Sequence, residues 1–156
     1  MKRLLYPVIF AIVFVADRLT KLWALNTLFY QSWPVFNGFE FTFSWNRGIS
    51  WGMFASNNDI GFFILSGVIL VTISLFAAYT VYRALHKHCV IPEIMVLAGA
   101  VSNLVDRFCY GAVIDFIHVY CPLFDFPVFN VADSAIVLGV FFMMIKTMKE
   151  SYEVGH

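Results

Sequence analysis

Residues 60–82 read IGFFILSGVILVTISLFAAYTVY, an apolar run with no charge anywhere in it. A helix needs ~20 apolar residues to cross the hydrocarbon of a bilayer, so this run is read as a membrane span. Working outward from it, three further runs have similar length and a different texture. The first, about residues 5–28, is interrupted by Asp17, Arg18 and Lys21. The third, about 92–109, carries Asp106 and Arg107 near its end, and the fourth, about 131–148, opens with Asp133. Charges inside hydrocarbon are costly enough that each is a functional hypothesis by default.

Composition supports the same class. The chain has 156 residues, 61% of them hydrophobic and 13% charged, too apolar for a soluble domain that must clothe itself in polar surface. Lys and Arg total 10 and Asp and Glu total 10, leaving no basic stripe for nucleic acid and no acidic tail for a basic partner. The expected architecture is one integral membrane domain over residues 1–156, mainly α, with four transmembrane helices and two outer loops, about 29–59 and 110–130. Met1-Lys2-Arg3 followed by Leu4 to Ala16 imitates a cleavable signal peptide. The run continues through Asp17 and Lys21 into Leu22-Trp23-Ala24-Leu25 with no small-x-small cleavage site, so a retained first helix is expected.

Basic residues flank the spans unevenly. Lys2 and Arg3 precede the first, Arg83 and Lys87 lie between the second and third, and Lys146 and Lys149 end the fourth. The positive-inside rule puts both termini and the 83–91 loop in the cytoplasm. Asp17, Lys21, Asp106, Arg107 and Asp133 then gather toward the outer boundary, with no charge expected in the inner half of any span. Several charges at one depth suggest a site.

The outer loops carry β signals. Asn37-Gly38 is a type I′ hairpin signal, and Phe39, Phe41, Phe43 and Trp45 alternate with polar residues as a one-sided strand does. Such a strand suits the bilayer interface with its aromatic face toward lipid, and a plain aromatic anchor explains it equally well. Asn46-Arg47-Gly48 turns the chain, Trp51 to Ser56 suits a short surface helix, and Ala112 to Tyr120 suits a second strand broken by Cys121-Pro122.

Asp115 and Asp133 are the strongest candidates for chemistry. Two carboxylates held close cannot both ionise easily, so one keeps a proton while the other remains a base. Bland alternatives stay open: Asp133 as an N-cap of the fourth helix, Asp115 as a solvated loop acid. Asn103, Asp106 and Arg107 fall at i, i+3 and i+4, which suggests one face of the third helix. Arg107 either neutralises Asp106 or donates hydrogen bonds, with Asn103, into the site. Asp17 and Lys21, also i and i+4, are read as structural. The four histidines form no zinc motif, no Ser-based nucleophile motif occurs, and Cys89, Cys109 and Cys121 contain no C-x-x-C, although Cys109 and Cys121 could meet on the outer side. Neither a metal nor an organic cofactor is expected.

Five blocks in order resemble bacterial lipoprotein signal peptidase, the signal peptidase II family of intramembrane aspartic peptidases. They are Asp17-Arg18-Leu19-Thr20-Lys21, Asn46-Arg47-Gly48-Ile49-Ser50-Trp51, Asn103-Leu104-Val105-Asp106-Arg107, Gly111-Ala112-Val113-Ile114-Asp115-Phe116 and Phe129-Asn130-Val131-Ala132-Asp133-Ser134. The resemblance implies Asp115 and Asp133 as the catalytic dyad. It implies Asn46, Gly48, Asn103, Asp106, Arg107, Asn130 and Ala132 as residues lining or supporting the site, with Asp17 and Lys21 supporting fold and site. It further implies an extracytoplasmic β-cradle, a flap helix over about 51–58, and a diacylglyceryl-modified prolipoprotein substrate cleaved just before its lipidated cysteine. Location in the bacterial inner membrane and contact with membrane lipid follow from the same resemblance, and because one chain contains everything the mechanism needs, a monomer is expected. Ser102, where glycine is more usual, and Ile49, where a small residue is more usual, depart from the pattern.

Two rival readings remain at this level. A small transporter would use Asp17, Asp106 and Asp133 to carry ions. A membrane scaffold would bind other helices through small residues such as Gly99 to Ser102.

Overall fold

The computed structural model describes residues 2–48 and 59–154. The segment expected as a surface helix and flap, with Ile49, lies outside the described residues. Among the described residues four long helices and four strands follow in the order α1 (Lys2–Thr27), β1 (Trp33–Phe36), β2 (Phe39–Asn46), α2 (Asp59–Leu85), α3 (Ile91–Tyr110), β3 (Val113–Cys121), β4 (Phe124–Asp125) and α4 (Val131–Val154). The fold is mainly helical with a small antiparallel sheet. Two stretches, Ile60–Leu85 and Val131–Glu150, are long and apolar enough to cross a membrane. The other two helices carry too many internal charges to pass the same test, Asp17, Arg18 and Lys21 in α1 and Glu93, Asp106 and Arg107 in α3.

Helix α3 is the hub, packing against α1, α4 and α2. Its approach to α4 is close enough to exclude side chains at two points. A Cβ on Gly99 would collide with the carbonyl oxygen of Ala132, and one on Gly139 would stand 2.7 Å from the Pro92 carbonyl oxygen. The small residues read as a docking face for other helices are therefore consumed inside the chain. Among the described residues, α2 packs on α3 with no comparable contact to α1 or α4. Much of its surface is bare apolar side chain, as at Ile60, Phe63, Ile64, Val68, Val71 and Leu75.

The sheet runs β1-β2-β3-β4, all neighbours antiparallel. Asn37-Gly38 does close the β1–β2 hairpin, but not as a type I′ turn. Only Gly38 has positive φ, +102°, whereas type I′ requires it at both positions. A Cβ at Gly38 would lie 2.8 Å from the Tyr120 carbonyl oxygen, so β3 crowds the turn as well. The aromatic face of β2 is half-buried and packs on protein instead of facing lipid throughout. Phe41 and Phe43, with Trp23, cover a core of Ala24, Leu28, Ile114 and Phe116. Trp23 meets Phe41 edge-on at 5.4 Å between ring centroids, which fixes the sheet to the end of α1.

Two helix ends set the direction of the neighbouring segments. Gly111 caps α3 in the left-handed region, φ +67°, and donates its N–H to Arg107 O at 3.1 Å. That turn sends the chain directly into β3. The start of α4 is a reciprocal capping box. Asn130 Oδ1 accepts from the Asp133 N–H at 2.8 Å, and Asp133 Oδ2 accepts from the Asn130 N–H at 3.2 Å. The N-cap is thus Asn130, and Asp133 is its partner three residues on, not the cap itself. Helix α4 also runs past the expected 148, to Val154.

Candidate active site

Asp115 comes from β3 and Asp133 from the first turn of α4, and the side chain of Asn130 lies between them. Its Nδ2 donates to Asp115 Oδ1 at 2.6 Å, to Asn103 Oδ1 at 3.2 Å and to the Ile114 carbonyl at 3.2 Å. Its backbone and Oδ1 meanwhile hold Asp133 through the capping box. Asn103 Nδ2 donates to the other Asp133 oxygen, Oδ1, at 2.8 Å. Asn46 Nδ2 donates to Asp115 Oδ2 at 3.0 Å, and its own Oδ1 accepts from the Gly48 N–H at 2.9 Å, which fixes the amide's orientation. Each carboxylate therefore accepts bonds at both oxygens, all from neutral donors.

Asp115 is almost wholly buried. Burial first, and then the neighbouring Asp133 charge, push its carboxyl from 3.8 up to about 7. The Asn46 and Asn130 amides and the Lys21 charge pull the other way.

Behind the pair lies a buried ionic network. Lys21 Nζ donates to Asp17 Oδ2 at 2.7 Å, Asp106 Oδ2 at 2.8 Å and Asn103 Oδ1 at 2.6 Å, with no exposure at all. Arg18 pairs with the other oxygen of Asp106. Asp17 also accepts from the Ser102 hydroxyl at 2.6 Å and from the Ala132 N–H at 2.7 Å. The Ile114 N–H reaches Asp106 Oδ2 at 3.3 Å. This network joins α1, α3, β3 and α4, and Asn103 connects it directly to the carboxylates. Its acids are fully engaged, which does not suit ions picked up and released.

The third helix divides its polar residues differently from the single face expected. Ser102 and Asp106, four apart, bond to α1, Arg107 turns away from it, and Asn103 between them accepts from Lys21 of α1 and donates to Asp133. Asp106 is thus neutralised by Lys21 and Arg18 and not by Arg107. Arg107 instead donates from Nη1 to the Asn103 carbonyl at 3.1 Å and from Nη2 to the Gly48 carbonyl at 2.8 Å. Arg18 and Ser102 are network members that sequence reasoning missed, and the i, i+4 spacing of Ser102 to Asp106 was the signal that could have found the second. One further charge lies inside the third apolar run, at the end away from Asp106. Glu93, fully buried near the start of α3, lies 3.1 Å from Arg83 Nη1.

A cavity of about 730 Å³ opens beside the pair, lined by Asn46, Asn103, Arg107 and Asp133. Phe126, Pro127, Val128 and Phe129 form one wall, and Ile69, Ala100, Ile136, Val137 and Leu138 continue it along α2, α3 and α4. Apart from these polar side chains and Ser134 the lining is apolar, the profile of a site for an amphiphilic ligand. Among the described residues no cluster suited to a metal ion occurs. Cys89, Cys109 and Cys121 are free thiols.

The sequence profile of the signal peptidase (SPase) II family matches residues 9–149. The lipoprotein signal peptidase of Clostridium acetobutylicum is 37% identical over 139 residues, which cover 86% of this chain and 88% of the relative. That of Syntrophus aciditrophicus is 33% identical over 158 residues, covering 96% of each chain. A solved structure described as a bacterial membrane enzyme, determined by the in meso method at 2.3 Å resolution, superposes with a TM-score of 0.70 at 28% identity, covering 94% of this chain and 88% of that one.

Proposed function

The chain belongs to the signal peptidase II family, and from that premise we propose that it is an intramembrane aspartic endopeptidase whose dyad is Asp115 and Asp133. As a member it is a protease that removes signal peptides from prolipoproteins. The substrate is a precursor whose cysteine already carries diacylglyceryl, and the scissile bond is the one just before that cysteine. One observation supports the assignment of the dyad: Asn130 touches Asp115 through its side chain and Asp133 through its capping box, and Asp133 lines a largely apolar cavity.

Near neutral pH the pair holds one proton, resting on Asp115, whose carboxyl is raised to about 7. The ionised Asp133 takes a proton from water, and the resulting nucleophile attacks the scissile carbonyl. Asp115 gives its proton to the developing oxyanion. Collapse of the tetrahedral intermediate returns a proton to the departing amine and leaves the lipidated cysteine as the new amino terminus. Asn46, Asn103 and Asn130 hold the carboxylates in register, and Arg107 braces Gly48 beside them. Asp17, Lys21, Asp106 and Ala132 support this arrangement from behind. No step requires a metal or an organic cofactor.

All four helices span the bacterial inner membrane in this reading, with both termini cytoplasmic and the dyad near the outer leaflet. The charges that keep α1 and α3 from reading as apolar spans are buried against each other, so they present little cost to lipid. Membrane lipid surrounds a single chain, which supplies every group the mechanism uses. The test is cleavage of a diacylglyceryl-modified prolipoprotein by purified protein, with Asp115→Asn, Asp133→Asn and an unlipidated substrate alongside. Each isosteric variant is expected to lose at least about a hundredfold in rate while remaining folded. Undiminished turnover by either variant would remove that residue from the dyad.

A further inference from the structure

His118 sits in β3 three residues past Asp115, outside the machinery just described. Its imidazole meets a carboxylate at each nitrogen: Nδ1 lies 2.9 Å from Glu40 Oε1 on β2, and Nε2 lies 2.6 Å from Asp125 Oδ1 on β4. Ionised carboxylates only accept, so the ring satisfies both as an imidazolium donating from each side. The charged and titratable groups meeting it are these two acids and, on its own strand, Tyr120, whose ring centroid is 5.0 Å away. The Glu40 bond, with the Asp125 bond behind it, holds the imidazole above its ordinary value against partial desolvation.

The chain beyond Asp125 is the part that matters for binding. Phe126 donates its N–H to the Val119 carbonyl at 3.0 Å, and Phe129 exchanges two bonds with Ile117, at 2.9 and 2.8 Å. Phe126 to Phe129 are the cavity wall beside Asp133, and the next residue is Asn130. Strand β4 itself is two residues long, so the wall depends on few ties. We infer that His118 is a positioning residue for substrate binding, which by gripping Glu40 and Asp125 together pins β4 and the apolar wall that receives the lipidated peptide. Only the binding part of this rests on the peptidase reading. The grip is complete while the ring is protonated and weakens as pH rises through its pKa, because a neutral imidazole can donate from one nitrogen alone.

Backbone amide exchange over residues 124–130 tests this in the full-length protein in detergent, for wild type, His118→Gln and Asp125→Asn, at about pH 6 and about pH 8.5. The kinetics of lipidated prolipoprotein cleavage are followed alongside. At the lower pH, the Phe126 and Phe129 amides are expected to exchange about two- to five-fold faster in both variants than in wild type, the range for an exposed charged contact. The difference should shrink at the higher pH. KM is expected to rise by a similar factor while kcat and its alkaline limb stay in place. Equal exchange in all three proteins at about pH 6 would overturn the clamp whatever the cleavage assay shows. Faster exchange with unchanged KM would overturn the positioning role and leave a structural tie. Absence of cleavage by wild type would count against the peptidase reading instead, with the clamp then judged on exchange alone.

Discussion

At the scale of single residues, the pH profile is the most direct consequence of the geometry. Asp115 keeps its proton up to about pH 7 in the folded protein, against 3.8 for an unperturbed group. Stability associated with that proton is full below about pH 4 and is lost as pH rises through 7. In the proposed dyad the same deprotonation removes the acid, so kcat/KM is expected to fall above about pH 7. The amide of Asn46 stabilises the ionised form of Asp115. Asn46→Ala should therefore move the alkaline limb to higher pH, and a limb that stays put would show that Asn46 does not tune the acid. Much of this was legible in sequence, because a carboxylate in or beside an apolar run is conspicuous. The role of Asn130 was less so. An asparagine before a helix reads as a cap, and nothing in its local pattern shows a second acceptor arriving from a strand fifteen residues earlier.

At the scale of elements, the buried network decides how helices sit. Lys21 has three acceptors and no solvent, so removing it leaves Asp17 and Asp106 short of a cation inside the bundle. Lys21→Ala is expected to cost about 3–5 kcal/mol, measured as a lower denaturation midpoint in detergent. A loss under about 1 kcal/mol would mean that water or Arg18 takes its place. Helix positions were readable from apolar length, and strand β2 from alternation. Partnership was not. The β2–β3 ladder joins Ser44 to Asp115 and Asn46 to Val113, a pairing across two helices that no local periodicity encodes. The hairpin at Asn37-Gly38 was found and its turn type was not, and nothing local to the turn shows that the carbonyl of Tyr120, from β3, leaves no room for a side chain at Gly38.

At the scale of the whole molecule, the main helical contact of α2 among the described residues is with α3, and the cavity beside Asp133 lies between residues of α2 and α4. A bulky amphiphile can enter such a gap sideways from lipid. In a background without native cysteines, a short thiol crosslinker joining Ile69→Cys to Val137→Cys, two cavity-lining positions, is expected to block cleavage until it is cut. Full activity with the link in place would mean that the substrate enters by another route. The network has a further consequence for how the protein is made. Asp17 and Asp106 balance Arg18 and Lys21, yet three of these four belong to α1 and the fourth to α3. A growing chain presents α1 to the insertion machinery with a surplus positive charge and no Asp106 to meet it. In the membrane reading proposed above, α1 is therefore expected to reach its final seat only once α3 brings Asp106 to Arg18 and Lys21.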